Sequence, residues 1–161
     1  MRRGGLRLGL LVVLCVLACS VQAAQFDFTA GGSATAGVRW TPAVFASVSG
    51  STPDDGRAHF APVASLGWID SRNTEHEDLD HNVFLAAGGV RYGWDQGLFA
   101  SEQIAFTSTR TDALSSRFEF MTSVGWQHGH FIGMLRHVSN AHVIGGGRNL
   151  GETMALVGVR I

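Results

Sequence analysis

The sequence predicts an all-β fold, an eight-stranded antiparallel transmembrane β-barrel of the outer-membrane type. Three observations predict it. The chain starts with an export signal, and its remainder contains short stretches rich in Val, Phe, Thr, Trp and Gly that are separated by polar turns. No later apolar run is long enough for a membrane helix. Strands of about ten residues are the other way to cross a bilayer.

Residues 1–23 have the pattern of a signal peptide. Basic residues at the start are followed by an apolar run from Leu8 to Ala18 and by Val21-Gln22-Ala23, a small-x-small cleavage site. The apolar run is too short to span a bilayer. We therefore expect export, insertion into the outer membrane of a Gram-negative cell, and one mature domain over residues 24–161.

The composition of the mature segment excludes several functions. Both cysteines, Cys15 and Cys19, lie inside the signal, so the cleaved chain would have no disulfide and no thiol nucleophile. The alternative is a lipoprotein attached through Cys19. Without the signal's arginines, nine basic residues face thirteen acids, a net charge of −4. Nucleic acid is therefore not an expected partner.

Eight segments have the length and composition of strands. They are Gly32–Trp40, Ala43–Ser49, Ala58–Ser71, Asn82–Trp94, Leu98–Thr109, Ser116–Gln127, His130–Ala141 and Glu152–Ile161. A soluble sandwich or a lipocalin-like barrel would alternate in the same way. Export, the even number of segments and short turns that alternate with longer loops favour the membrane barrel. The first turn, around Thr41-Pro42, is short where a long loop is expected.

Two further features bear on which face is outside. The four tryptophans fall at predicted strand ends, where an interfacial girdle would place them, although four packed core tryptophans would be the alternative. They are Trp40, Trp68, Trp94 and Trp126. In the fifth segment, Glu102 shares a face with Leu98 and Ile104. Either part of the interior is apolar there or the register differs from the one assumed.

The seventh segment carries the residues with chemical potential, in the run Arg136-His137-Val138-Ser139-Asn140-Ala141. Alternate residues of a strand share a face, so His137 and Ser139 project together and Arg136 projects the other way. An arginine is less costly inside a barrel than against lipid. We therefore expect His137 and Ser139 to face the lipid, near the outer-leaflet end of the strand.

This pair has the residue types of a nucleophile and its base. Serine is a weak nucleophile until a base takes its proton, and histidine, with a pKa near neutrality, is the usual base. A third group, normally a carboxylate, orients the imidazole. Glu152, at the start of the eighth segment, is the candidate for that acid, and Asn140 could donate an amide N–H to an oxyanion. A polar pair beside lipid has a desolvation cost unless it is used.

His137-Val138-Ser139-Asn140-Ala141, followed by Asn149-x-Gly151 and a final short strand, resembles the lipid A 3-O-deacylases of Gram-negative outer membranes, the PagL family. The resemblance implies an eight-stranded barrel that removes the ester-linked acyl chain at the 3 position of lipid A through a Ser–His–Glu triad, without a cofactor or a metal. It implies His137 as base, Ser139 as nucleophile, and Asn140 and Asn149 as supporting residues.

The acid departs from the family's pattern. The family's spacing would place it at Thr153, whereas this chain has Glu152, one residue earlier. One residue moves a strand side chain to the opposite face. Glu152 therefore reaches His137 only if a bulge or a shifted pairing re-aims it. Otherwise a His–Ser dyad remains.

The expected partners are lipopolysaccharide as substrate and outer-membrane lipid, and a homodimer is left open. Arg72, Arg110 and Arg148 lie in outer loops and could bind lipid A phosphates. The acidic loop Glu75–His81 could bind a divalent cation, although a solvated loop is the plainer interpretation. His128 and His130 are expected in an exposed turn rather than a metal site. A non-enzymatic structural or adhesive barrel is the alternative function.

Overall fold

The computed structural model describes residues 24–35, 38–50, 58–74, 77–141 and 149–161. The predicted signal peptide, the alternative lipid-attachment site at Cys19 and the predicted phosphate ligand Arg148 lie outside the described residues. Within the described ranges, the chain forms no helix that is both long enough and apolar enough to cross a membrane.

Eight strands close into an antiparallel barrel in the order β1-β10-β9-β8-β7-β6-β3-β2, which confirms the predicted fold class. The barrel strands are β1 (Ala24–Thr35), β2 (Val38–Gly50), β3 (His59–Ile69), β6 (Val83–Gly93), β7 (Leu98–Thr107), β8 (Phe118–His128), β9 (Phe131–Ser139) and β10 (Glu152–Arg160). The short strands β4 (Arg72–Thr74) and β5 (Glu77–Leu79) pair in the connection after β3. Short connections at Asp95–Gly97 and residues 129–130 mark one end, the turn end; the opposite end is the loop end.

Alternation separates the two faces of the wall. Large apolar side chains point outward and are exposed, as at Leu66 (65%) and Val157 (70%). Polar and charged side chains such as Asp27, Arg91 and Arg136 are buried inside. This arrangement is the inverse of a soluble protein and is typical of a barrel that faces lipid outside. Closure also pairs each of the eight barrel strands on both sides, so the described barrel has no open sheet edge.

The interior near the turn end is organised around Asp27. Arg91 donates to its carboxylate at 2.8 Å and Arg160 donates at 2.6 and 2.7 Å. The Arg91 guanidinium also stacks 3.6 Å from the centre of the Phe99 ring. Two buried guanidinium groups thus share one carboxylate, which links β1, β6 and β10 across the barrel.

The interior near the loop end contains an apolar cluster beside its buried polar groups. Ile69, Val83, Met121, Val138 and Met154 belong to one buried cluster there. Leu79 of β5 and Leu114 of the β7–β8 connection pack into the same cluster, and both are fully buried. The β3–β6 and β7–β8 connections therefore fold back over this end.

The first strand differs from the predicted segment Gly32–Trp40. That segment spans the end of β1 and the start of β2, and Thr41 and Pro42 lie within β2 rather than in a turn. Proline lacks an N–H and is a poor residue for a central strand. It fits here because Pro42 precedes Ala43, the position at which β2 begins to pair with β3.

The four tryptophans and Glu102 lie on the outer side of the wall. Trp40, Trp94 and Trp126 are exposed and Trp68 is half-buried, so none of them is in the core. Glu102 is exposed on the outer wall of β7, on the same face as Leu98 and Ile104. The register is therefore regular, and an acid lies on the apolar face.

Replacing Asp27 by Asn tests the charged interior. We expect the free energy of unfolding to fall by about 3–5 kcal/mol, because two buried guanidinium groups lose their shared counter-charge. Urea unfolding in detergent micelles measures the change. The matched control is Asp112→Asn, an exposed acid in a loop, which should shift stability by less than about 0.5 kcal/mol. Equal shifts for the two variants would contradict this view of the interior.

Candidate functional site

The outward face of β9 carries the predicted pair. His137 is exposed and Ser139 is half-buried, whereas Arg136 and Val138 between them are buried in the interior. Arg136 is held there by Ser123, which its Nε contacts at 3.0 Å, and by the Phe45 ring. The predicted orientation of His137 and Ser139 therefore agrees with the structure.

Thr153 of β10 and Gly151, just before that strand, lie beside the imidazole. His137 pairs with Thr153 in the ladder, and its Nδ1 lies 3.0 Å from the Thr153 hydroxyl. Gly151 adopts a left-handed backbone conformation, with φ at 69°. A Cβ built on Gly151 would lie 2.9 Å from His137 Nε2 and 3.1 Å from Ser139 Cβ. The imidazole edge and the serine thus converge on one point, which only glycine leaves empty.

Glu152 is not beside His137, and its assignment as the acid of a triad is corrected. It pairs with Val138 in the ladder, is fully buried, and contacts Ser33, Thr35 and Arg72 with its carboxylate inside the barrel. Neither a bulge nor a shifted pairing re-aims it, since the β9–β10 register is continuous. Thr153 occupies the position next to the imidazole.

The two asparagines also point inward rather than toward Ser139. Asn140 is 1% exposed and its Nδ2 contacts Ser115 Oγ at 3.3 Å. Asn149 is buried, and its Nδ2 reaches the Glu119 carboxylate at 3.2 and 3.3 Å. The Asn140 side chain therefore is not an oxyanion donor. Asn149 supports the site indirectly, because it ties the segment before Gly151 to β8.

Polar side chains on the outer wall gather in one place. Apart from Arg39 at the loop end and Tyr92 and His128 near the turn end, the polar outward side chains of the described barrel strands are Glu102, Thr122, His137, Ser139 and Thr153. Four of them form a row across neighbouring strands, because Glu102 pairs with Thr122, Thr122 with His137, and His137 with Thr153. We call these four residues the polar row.

Within the polar row, a second hydrogen bond joins Thr122 to Glu102. The Thr122 hydroxyl donates to Glu102 Oε2 at 2.6 Å. Sequence reasoning found His137 and Ser139 but not Thr122, Glu102 or the role of Gly151. The available signal for Glu102 was its parity with the apolar residues of β7, which marks it as outward.

An apolar groove adjoins the polar row on the turn-end side. It has a volume of about 830 Å³ and is lined by Trp126, Gly133, Leu135, Ala155 and Val157, among others. Leu135 and Ala155 lie two residues from His137 and Thr153 on the same faces. The groove therefore begins directly beside the polar row, and Gly133 leaves its floor open.

The other predicted polar sites have plainer roles. Arg72 does not face lipid phosphates, since it is buried and paired with Glu152. His128 stacks on Trp126, and His130 Nδ1 lies 2.9 Å from the Arg160 carbonyl oxygen. Among the residues whose side chains are described, no three His, Cys, Asp or Glu are grouped as metal ligands. Glu75 and His76 of the acidic loop lie outside the described residues.

The fold and outer wall define the class of the protein, an eight-stranded barrel of the outer-membrane type. No protein-family model matches the chain, and no curated protein matches it. Among solved structures, it is similar to the crystal structure of Ail, the attachment invasion locus protein of Yersinia pestis. That similarity covers 86% of this chain and 96% of Ail at 7% sequence identity, with a TM-score of 0.46.

Replacing Gly151 by Ala tests the packing around His137. The new Cβ would meet the imidazole, and alanine at this φ is strained, so we expect a loss of about 1–3 kcal/mol of stability. We also expect displaced resonances of His137 in spectra of histidine-labelled protein in micelles. Gly133→Ala, on the same wall with nothing within 4 Å of its Cβ, is the control. Unmoved His137 resonances in Gly151→Ala would contradict the described contact.

Proposed function

We propose that the chain is an outer-membrane esterase that removes the 3-O-linked acyl chain from lipid A of lipopolysaccharide, with Ser139 as nucleophile and His137 as base. The observation that carries the proposal is the convergence of Ser139 and the His137 imidazole on Gly151, on the outward wall. An ester in the outer leaflet would meet this pair directly, without entering the barrel. The substrate is proposed from the resemblance of residues 137–141 to lipid A 3-O-deacylases.

The apolar groove supports a substrate with a long acyl chain. From Ser139 to Gly133 along β9 is six residues, or roughly 20 Å of extended strand. A chain whose carbonyl lies at Ser139 can extend along this wall over Gly133 and between Trp126 and Val157. Burial of apolar surface there favours lipid over a water-soluble ester.

The chemistry proceeds in two balanced halves. His137 Nε2 takes the proton of Ser139 Oγ as that oxygen attacks the ester carbonyl, and then gives it to the departing sugar oxygen as the C–O bond breaks. Water then attacks the acyl-serine carbonyl as Nε2 takes its proton, and Nε2 gives that proton to Ser139 Oγ as the acyl–Oγ bond breaks and the fatty acid leaves. The residues supply both the nucleophile and the proton transfers, and the proposal includes no cofactor.

Backbone groups are the candidates for stabilising the oxyanion. The strand ladder ends at Ser139, and Ala141 has a φ of 50°, so the chain turns sharply just beyond the nucleophile. A non-glycine residue in that conformation is strained, and such strain is common at functional sites. The N–H groups of this turn can point at an oxygen above Ser139, a position from which the Asn140 side chain is directed away.

The base works without an adjacent carboxylate. The Thr153 hydroxyl can accept an N–H from His137 Nδ1, which leaves Nε2 free to take the serine proton. A neutral hydroxyl does not offset the charge of the imidazolium as a carboxylate does. We therefore expect a slower enzyme than one with a full triad.

A structural or adhesive barrel is the second candidate function. It is favoured because a hydroxyl, that of Thr153, and not a carboxylate contacts His137 Nδ1. In that case the exposed loops would carry the function, and the outward pair would be dispensable. Substituting the exposed loop residues Asp80 and His81 would then impair function, whereas Ser139→Ala would have no effect.

Ser139→Ala tests the proposed reaction. Purified barrel is incubated with lipopolysaccharide, and lipid A is weighed by mass spectrometry. We expect wild type to remove one hydroxy-fatty acid, and Ser139→Ala to lose at least about a thousandfold in rate because the nucleophile is gone. Ser47→Ala, inside the barrel, is the matched control. Intact lipid A after incubation with folded wild type would refute the esterase.

Thr153→Glu tests the missing charge. A carboxylate at this position would stand beside Nδ1 and stabilise the imidazolium, so the deacylation rate should rise by roughly tenfold or more. Val159→Glu, further along the same outward face and outside the groove lining, separates this local effect from that of any added charge on the wall. Equal changes in rate for the two variants would contradict the proposal that a charge beside His137 Nδ1 assists the base.

A further inference from the structure

Glu102 lies where a charge is costly. Two acidic or arginine side chains are exposed on the described barrel strands: Arg39 lies at the loop-end start of β2, whereas Glu102 lies within the wall, with Val90 and Ile104 as its exposed neighbours. It is in the middle of β7, far from either end of the strand. An ionisable residue on a membrane-facing wall is expensive and is a functional candidate by default.

Thr122 connects this carboxylate to His137. Its hydroxyl donates its single proton to Glu102 Oε2, so its lone pairs remain able to accept an N–H. The residue directly opposite Thr122 on the next strand is His137. Neighbouring strands are about 4.8 Å apart, which puts the Glu102 and His137 backbones roughly 10 Å from each other with the hydroxyl between them.

We propose that Glu102 is a positioning residue for His137, and that it supplies through the Thr122 hydroxyl the negative charge that Thr153 does not provide. This inference rests on the proposed esterase function. The imidazole turns about its Cα–Cβ bond from Thr153 toward Thr122, and its Nδ1–H donates to Thr122 Oγ1. The hydrogen bonds then run from imidazole to hydroxyl to carboxylate.

Proton positions balance along this chain of groups. Nε2 holds the proton taken from Ser139, Nδ1 keeps its own, and no proton passes to Glu102. Each bond polarises the next, so the carboxylate stabilises the imidazolium although it does not touch it. Lipid around the row excludes water and weakens screening of the charge. Thr153 and Thr122 thus flank His137 with different partners, one neutral and one linked to an acid.

The test uses a fluorophosphonate probe on the folded barrel in detergent micelles, because its reaction reports base activation of Ser139 without lipid recognition. Oγ bonds to phosphorus, fluoride leaves, and Nε2 takes the serine proton. Peptide mass spectrometry locates and times the adduct. Ser139→Ala fixes the background.

Glu102→Gln and Thr122→Val should each slow labelling of Ser139 by about tenfold to a hundredfold, less than the roughly 10⁴-fold effect of a triad acid in direct contact. Because both act through one chain of bonds, the double variant should be no slower than either single variant. Thr29→Val, the same change inside the barrel, should label at the wild-type rate. Replacing an outward acid by its neutral amide should not impair folding.

A rescue separates positioning from general damage. Thr153→Glu added to Glu102→Gln should restore labelling to within about threefold of wild type, since a charge then reaches the imidazole from the other side. Equal labelling of wild type and Glu102→Gln would overturn the role of Glu102 and leave the esterase standing. Failure of wild type to label at Ser139 would overturn both. An unrescued loss in Glu102→Gln would also overturn the proposal.

Discussion

A polar group on the outer wall of a membrane barrel has no water to bind, and this constraint governs the structure. Such a group must find a partner on the wall or bear the full cost of desolvation. The outward wall obeys this almost everywhere by being apolar. The exceptions near its centre are contiguous, and Thr122 with Glu102 and His137 with Thr153 form hydrogen-bonded pairs. Their concentration in one place is the reason that this part of the wall is the candidate functional site.

The alternation of inward and outward side chains along β10 separates Glu152 from Thr153. Glu152 faces inward, where Arg72, Ser33 and Thr35 satisfy its carboxylate and fix β4 over the loop end. Thr153 faces outward and meets the imidazole. A difference of one position thus converts a potential catalytic acid into a buried structural ion pair. That pair joins β4 to β10, while the outward site is left to a neutral hydroxyl and to the groups on β8 and β7.

Much of this arrangement could be predicted from the sequence, because a strand's period of two is a strong constraint. The parity of Arg136 placed His137 and Ser139 outside, and the parity of Thr153 with Val157 placed it on their face. The start of β1 was missed because the two strands at the N-terminal end meet in a short connection, and Pro42 has the appearance of a turn. Parity gives the face of a residue, however, and not its neighbours across strands. The polar row from Glu102 to Thr153 depends on the register of four neighbouring strands. That register cannot be derived from the sequence alone.

Gly151 could not have been assigned from pattern alone either. Its role depends on how closely the residue just before β10 approaches the imidazole, which is a tertiary contact. The same holds for Arg72. In the sequence it resembles a solvated loop arginine, but the folded β4–β5 pair places it against Glu152. Both features belong to the loop end, where irregular connections pack against the barrel. The alternation of faces along a strand does not predict such contacts.

The central claim is that the hydroxyl at 139 forms a covalent bond with an acyl group drawn from the surrounding lipid. Brief mixing of the folded barrel with lipopolysaccharide, an acid quench and peptide mass spectrometry tests it most directly. The account predicts a hydroxyacyl adduct on the peptide that contains Ser139, formed and lost on the timescale of turnover. Release of fatty acid with the adduct on another residue, or with no adduct at any time, would contradict it.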